Sequence, residues 1–457
     1  MDVLTLSRIQ FAINSCFHFM YPPISIGLGL MLVIMEGIYL KTKDPRYKEM
    51  TTFWIKIFAL TFALGVATGL VQTFAFGTNW ARFSRFVGDI FGCALASEGI
   101  FAFFLEAGFL GVLLFGWVRV GPKVHYFSTI CVALGAHFSA LWILVANSWM
   151  QTPAGFHIEN TPLGPRAVIN DFWAMVFNPS TLDRLCHVIL GCWITGAFFV
   201  LSVAAFYLLK GRHEAVARPM MKLGLIVGVI VLLLQLVSGD SSAKLIAKYQ
   251  PAKLAAFEGL YKTVPSTPIS VVGWVDSKTE EVHSIKIPAA LSFLTYGNLN
   301  QPVTGLDQIP RDEWPNVPVV FQTYHLMVTM WAMMFLIAVF GFWYWKRGSL
   351  EKKRWLLWAM VFSVFLPHVA LQAGWISTEM GRQPWSVWKI FRTSEGVSTV
   401  ISAGQVKGSI TMFLMIYILL LSLFLFLLNH KIKHGPEEIG SKPDDMIYRN
   451  IYPKKGA

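Results

Sequence analysis

Charge is scarce in this sequence. Only 14% of its 457 residues are Asp, Glu, Lys or Arg, against 55% apolar. A soluble globular chain carries far more charge than that, so the soluble class is excluded and a polytopic helical membrane protein is indicated. Cysteine is also scarce. The five (Cys16, Cys93, Cys131, Cys186, Cys192) are odd in number, form no CxxC and lie in or beside apolar runs. Neither a disulfide framework nor a thiolate metal site follows, and the thiols read as small core residues. Acids are outnumbered, 26 against 38 basic residues, for a net charge of +12. The basic residues form short clusters between apolar runs, a pattern that orients a membrane protein and does not suggest nucleic acid as a partner. The opening MDVLTLSRIQF lacks the basic region and cleavage site of a signal peptide, so the first span is expected to be kept. No internal repeat is visible.

What is present is about nine apolar runs, near 14–40, 52–76, 91–117, 125–149, 184–209, 219–239, 319–345, 355–375 and 408–430. Each is long enough to cross a bilayer as a helix, so the fold class expected is all-α integral membrane. Pro22-Pro23 predicts a kink just past His18. Lys and Arg cluster after the first, fifth, seventh and ninth runs, which predicts an N-terminus outside and a C-terminus in the cytoplasm. On this reading 1–239 holds six spans, 240–318 is an outer segment, 319–430 holds three more spans, and 431–457 is a cytoplasmic tail. The outer segment opens with SSAKLIAKYQPAKLAAFEGLY, which reads as an amphipathic helix lying on the surface. PISVVGWVDSKTEEVHSIKIP then alternates like a β-hairpin.

The third run, FGCALASEGIFAFFLEAGFLGVLLFGW, carries two acids, Glu98 and Glu106. An ionisable group at membrane depth costs at least about 2.5 kcal/mol and usually faces a cavity, an ion path or a cofactor. With the orientation above, His18, Glu98, His187, Met327 (with His325) and Glu379 come from five segments and are expected to meet in one outer layer. Glu106 lies about 12 Å deeper. His, Met and carboxylate can all ligate haem iron, and no CxxCH is present to attach haem covalently. His137, His368 and Lys56 read as structural, and Glu36 as an acid that snorkels to the inner surface.

LSRIQFAINSCFHF around His18, GVATGLVQTFAFGTNW, GDIFGCALASEGIFAFFLE, SALWILVANSWMQTP, KLAAFE and AGWISTEMGRQPW resemble subunit I of cytochrome bd-type quinol oxidases, from Leu4 to about residue 430. The resemblance implies a catalytic subunit that oxidises quinol on the periplasmic side and reduces dioxygen to water with cytoplasmic protons, generating proton motive force without pumping. It implies a low-spin haem b held by His187 and Met327. His18 and Glu379 are the implied axial ligands of a high-spin haem b and a haem d, with Glu98 beside the oxygen-reducing iron. Glu106 is implied as a proton-path acid with Ser139 and Asn147 near it, and Lys253 and Glu258 as a quinol-site pair in the periplasmic Q-loop. Arg8, Trp375, Arg382 and Trp385 are candidates for haem propionates and their aromatic surroundings. The partners implied are quinol, dioxygen, membrane lipids, subunit II and small single-span accessory subunits, and the place is the bacterial inner membrane. Three features depart from the pattern. His325 stands where relatives commonly carry Arg, FGWVRVG lacks an acid found in some, and the Q-loop is the short kind. The competing readings are a relative with b-type haems only, or a proton-coupled transporter using Glu98 and Glu106.

Overall fold

Residues 1–437 are described in a computed structural model, and among them nine helices are long and apolar enough to cross a membrane. They are Val3–Thr42, Pro45–Thr78, Gly88–Phe115, Pro122–Gln151, Thr181–Lys210, Glu214–Tyr249, Val317–Lys346, Arg354–Met380 and Ala403–His434, spans one to nine below. Their ends follow from local chemistry. Pro22, Pro45 and Pro122 occupy first turns, where no backbone N–H is needed. Asp2, Asp44, Asn316 and Ser402 accept first-turn N–H groups. Lys43 and Gly211 close spans one and five in the left-handed region.

Span one is two helices, Val3–His18 and Pro22–Thr42, and the break falls where the proline pair predicts it. It runs antiparallel to span two: Gln10 meets Asn79, Ser15 meets Gln72 at 3.4 Å, and His18 meets Thr68 at 2.9 Å. Spans one and five are in backbone contact. A Cβ on Gly27 would lie 2.1 Å from the Cys192 carbonyl oxygen, so only glycine allows that crossing. Around it Met31, Met35, Trp54, Phe58 and Phe198 form the buried centre. Span three departs from a plain helix, because Glu98–Phe103 is a π-helical turn between two α-helical stretches. Apolar periodicity carries no sign of it.

The basic clusters share one end of the bundle. Arg212 donates to the Lys433 carbonyl (2.9 Å), Arg218 pairs with Glu351 (2.8 Å), and Lys56 pairs with Glu437 (2.6 Å). The opposite end, the loop face, carries the 250–316 segment. The surface helix expected over 241–261 is not there. Residues up to Tyr249 continue span six, so the membrane boundary expected at 239–240 falls inside a helix. Pro251 then starts a short helix, Pro251–Glu258, in which Ala252 through Glu258 are all buried. The apolar residues of that run pack under the loop and do not face a bilayer surface. The expected hairpin is present, Ile269–Asp276 paired antiparallel with Glu281–Ile287. A second hairpin, Phe156–Thr161 with Gly164–Ile169, covers the loop face beside span three, where Asp89 accepts the Ile169 N–H at 2.9 Å. The tail expected over 431–457 begins as helix through His434, and residues 438–457 lie outside the described residues.

Candidate haem and quinol sites

The functional candidates do not share one layer, as the sequence reading expected. They descend in steps from the loop face. Glu379 sits beside Asn147 and Gln151 at the end of span four, while Glu98 sits beside Ser139, eight residues or about 12 Å further in. Each helix presents its candidate at a different turn, and periodicity in a sequence fixes a face but not a height.

The uppermost step is a buried cationic cluster. Glu379 accepts hydrogen bonds from Asn147 (3.1 Å) and Gln151 (3.2 Å) and pairs with Arg382. Arg184 donates to Asn147, and Lys253 donates to Gln151 and Gln250, both at 2.5 Å. Lys253 and Arg382 are only 1% and 4% exposed. Three cations therefore surround one carboxylate. Burial, with Arg184 and Arg382 close by, holds Lys253 well below the usual lysine range, and Glu379 pulls the other way. Arg184 Nε, Arg382 Nη1 and Trp385 Nε1 are buried without a partner. Trp375 lies under the Arg184 guanidinium (6.0 Å), and Arg8 reaches Met380 Sδ at 3.7 Å. Orphaned guanidinium donors and a surplus of positive charge fit the carboxylates of a haem, since Arg forks match carboxylate oxygens.

One step in, span five presents His187 and span seven presents Met327. Gly191, one turn beyond His187, meets Leu371 of span eight. Gly374, one turn nearer the loop face than Leu371, would place a Cβ 2.9 Å from Met327 Sδ. His187 and Met327 are thus brought to one level on either side of span eight. His187 Nδ1 is 3.2 Å from Ser238 Oγ, and the Gln235 amide nitrogen is 3.1 Å from both ring nitrogens. The buried Gln235 carbonyl oxygen has no partner. His325, the competing ligand, turns elsewhere. Its Nε2 lies 2.9 Å from the Ser270 carbonyl oxygen and its Nδ1 2.9 Å from that of Phe321.

Further in than Glu379 lie Glu98 and His18, whose neighbours Cys16 and Phe19 meet Gln372 and Trp375 of span eight. The Thr68 hydroxyl donates to the Leu64 carbonyl (2.8 Å), so it accepts from His18 Nδ1–H and leaves the Nε2 lone pair free. Such a partner fixes the tautomer an iron ligand needs. Glu98 opens the π turn and accepts from Ser139 at 2.5 Å. Glu106, 6% exposed, packs on Gly135 one turn further along span four. The resemblance put Ser139 and Asn147 near Glu106: Ser139 lies one turn from Gly135, on which Glu106 packs, and Asn147 about two turns further away. Ser139 serves Glu98, and Asn147 belongs to the Glu379 cluster.

Lys253 and Glu258 are both buried but are not brought together. Five residues apart on one helix, they point about 140° from each other. Lys253 faces the cationic cluster. Glu258, 2% exposed, accepts the Ser270 N–H at 3.2 Å. Burial pushes its carboxyl up to about 7, with the Ser270 N–H pulling it down.

Of the residues read as structural, His137 accepts from Trp193 Nε1 (2.8 Å), and Lys56 is the surface ion pair already described. Glu36 does not snorkel. Fully buried, it meets His125 Nδ1 at 2.7 Å and the Thr129 hydroxyl at 2.5 Å. Arg184, Gln151, Gln235 and Thr68 were missed. Arg184 alone carried a signal, standing three residues before His187 on the same helix face. Among the described residues, no three His, Cys, Asp or Glu side chains cluster as a bare metal ion would require. Single side chains from separate helices instead suit axial ligation of porphyrin iron.

The fold is that of a multi-pass membrane protein, and its buried side chains suit haem. The comparisons agree. Residues 6–436 match the family model for cytochrome bd terminal oxidase subunit I. The chain is 40% identical to cytochrome bd ubiquinol oxidase subunit 1 of Bacillus subtilis (strain 168), over 96% of this chain and 95% of that protein. It is 35% identical to cytochrome bd-II ubiquinol oxidase subunit 1 of Escherichia coli (strain K12), over 96% and 98%. The bd oxidase structure from Geobacillus thermodenitrificans superposes with a TM-score of 0.88 at 31% identity, covering 95% of this chain and 99% of that one. The chain belongs to the cytochrome bd terminal oxidase subunit I family. It is a subunit of a haem-bearing quinol oxidase that uses oxygen as acceptor and works with a subunit II. The transporter reading is overturned.

Proposed function

We propose that this subunit oxidises a membrane quinol at the loop face, which is periplasmic, and passes the electrons to dioxygen bound deeper in the bundle. The protons for water come from the cytoplasm, across an inner bacterial membrane. The observation that carries the reading is the buried surplus of cations around Glu379, with orphaned donors, above His187 and Met327. His187 and Met327 would hold a low-spin haem b. His18 and Glu379 would hold the high-spin haem b and the haem d, with Glu98 beside the oxygen site. Bound there, the haems supply one-electron transfer and oxygen reduction.

This chain's own residues place groups and handle protons. Arg184, Arg382 and Trp385 offer donors to the haem acid groups, with Trp375 and Arg8 at the cluster's edge. Glu258, buried and poised near neutrality, accepts a proton from quinol as a general base. Lys253, turned away from Glu258 in the structure, supports the site by ordering Gln151 and Gln250 beneath the loop. Glu106 and then Glu98 pass protons toward the oxygen site from the basic face. Protons released at one face and taken up from the other charge the membrane without a pump. Lipids surround the spans, and single-span accessory subunits complete the assembly.

The test is the dithionite-reduced spectrum of the purified oxidase, with a pyridine haemochrome assay, for wild type and Met327→Leu. Wild type should show b and chlorin bands, and the variant should lose the low-spin signal. No chlorin band would make the third haem a b. A low-spin signal that survives in Met327→Leu would remove Met327 as ligand.

A further inference from the structure

Ser270 lies where the register of the 269–287 hairpin slips: it pairs with Lys286, the next pair is Val272 with Ile285, and Val271 is left over as the bulge. Both halves of its backbone are used by side chains. Its N–H donates to Glu258 Oε2 at 3.2 Å, and its carbonyl oxygen lies 2.9 Å from His325 Nε2, which donates to it in the Nε2–H tautomer, while Nδ1 faces the Phe321 carbonyl at 2.9 Å. His325 is buried, stacked on Phe321 (4.0 Å between ring centroids) with Tyr324 edge-on at 5.3 Å. Tyr324 in turn stacks on Phe257, the residue before Glu258, at 4.6 Å and 5°. The first turns of span seven thus touch Glu258 by two routes, one polar and one aromatic.

We propose that His325 is a positioning residue for quinol oxidation: it holds the carbonyl on one side of Ser270, and with it the residue whose N–H, on the other side, aims the Glu258 carboxylate. The proposal rests on reading Glu258 as the quinol's base. A buried carbonyl without a donor is costly, so a residue beside a bulge keeps its backbone orientation only while both its N–H and its carbonyl are bonded. Without His325, the Ser270 carbonyl is orphaned. Ser270 is then free to shift beside the bulge, and its N–H leaves the carboxylate. The helix that carries Met327 therefore also sets the geometry of the base.

The experiment is oxygen uptake by the purified oxidase with a short-chain quinol. The variants are His325→Leu, His325→Gln, Glu258→Gln and the Leu/Gln double variant, each checked by its reduced spectrum. His325→Leu should lower kcat/KM for quinol about fivefold, the scale of one lost hydrogen bond, and keep the low-spin band. His325→Gln, which retains a donor, should recover most of the loss. Adding His325→Leu to Glu258→Gln should cost nothing more. Where the Leu variant does not assemble, His325→Asn, too short to reach Ser270, replaces it. Multiplicative losses in the double variant overturn the proposal, as does a vanished low-spin band. Impaired Glu258→Gln with a wild-type rate in His325→Leu removes the proposal alone. A wild-type rate in Glu258→Gln removes the underlying reading, and the proposal with it.

Discussion

Two buried clusters of charge sit at opposite ends of this bundle, and they differ in balance. Near the basic face, Glu36 meets one imidazole and one hydroxyl, and the second nitrogen of His125 faces the Leu113 carbonyl at 3.1 Å. Trp117 stacks over the imidazole at 4.0 Å. Every polar side-chain atom of Glu36, His125 and Thr129 has a partner, and only the Trp117 indole nitrogen above them has none. At the loop face, Glu379 is shared among Arg184, Arg382 and Lys253 through Asn147 and Gln151, and guanidinium nitrogens are left without acceptors. A closed cluster locks helices together, whereas an open one with surplus donors is built to receive an anion. Buried polar groups are costly when unpaired, so an imbalance kept inside a fold points to a ligand.

Removing the one anion from the open cluster should have the largest effect. Glu379→Gln leaves three buried cations uncompensated, a change on the scale of about 3–5 kcal/mol. Haem content and thermal stability should fall together, as read by haemochrome assay and by melting of the purified complex. Retention of full haem and stability would break the contrast between the clusters.

Glu36→Gln should be milder. The amide keeps the size and part of the hydrogen bonding but leaves His125 without its carboxylate, at a cost of about 1–3 kcal/mol. The melting temperature should drop by a few degrees while the reduced spectrum and turnover stay at wild-type values. A changed turnover would move Glu36 from structure into the proton path.

The smallest effect is a pH limb. Glu258 is held up to about 7 by burial, so its carboxyl is protonated and unable to accept a proton below that pH. Quinol oxidation should therefore rise as pH increases through about 7. Glu258→Gln should flatten that rise along with lowering the rate. A rise that survives in the variant assigns the limb to another group.

Much of this was legible in one dimension because the bilayer imposes one rule along the chain. Apolar length, proline pairs and basic clusters gave nine spans in order, the break past His18 and the shared basic end. The motifs around His18, Glu98, KLAAFE and GRQPW carried the family. Partnerships between distant residues were not legible. Lys253 and Glu258 look like a pair in KLAAFE but diverge on the short helix. Ser139 and Asn147 look like companions of Glu106, yet they serve Glu98 and Glu379.

By itself the sequence determined the membrane class, the number of spans and the candidates for binding iron or carrying protons, because those depend on composition and on spacing within single helices. Only the tertiary structure decided their heights, the π turn at Glu98, the burial of the 251–258 helix and the direction His325 faces. Those depend on where helices far apart in the chain cross, and on which buried polar group finds which partner once water is gone.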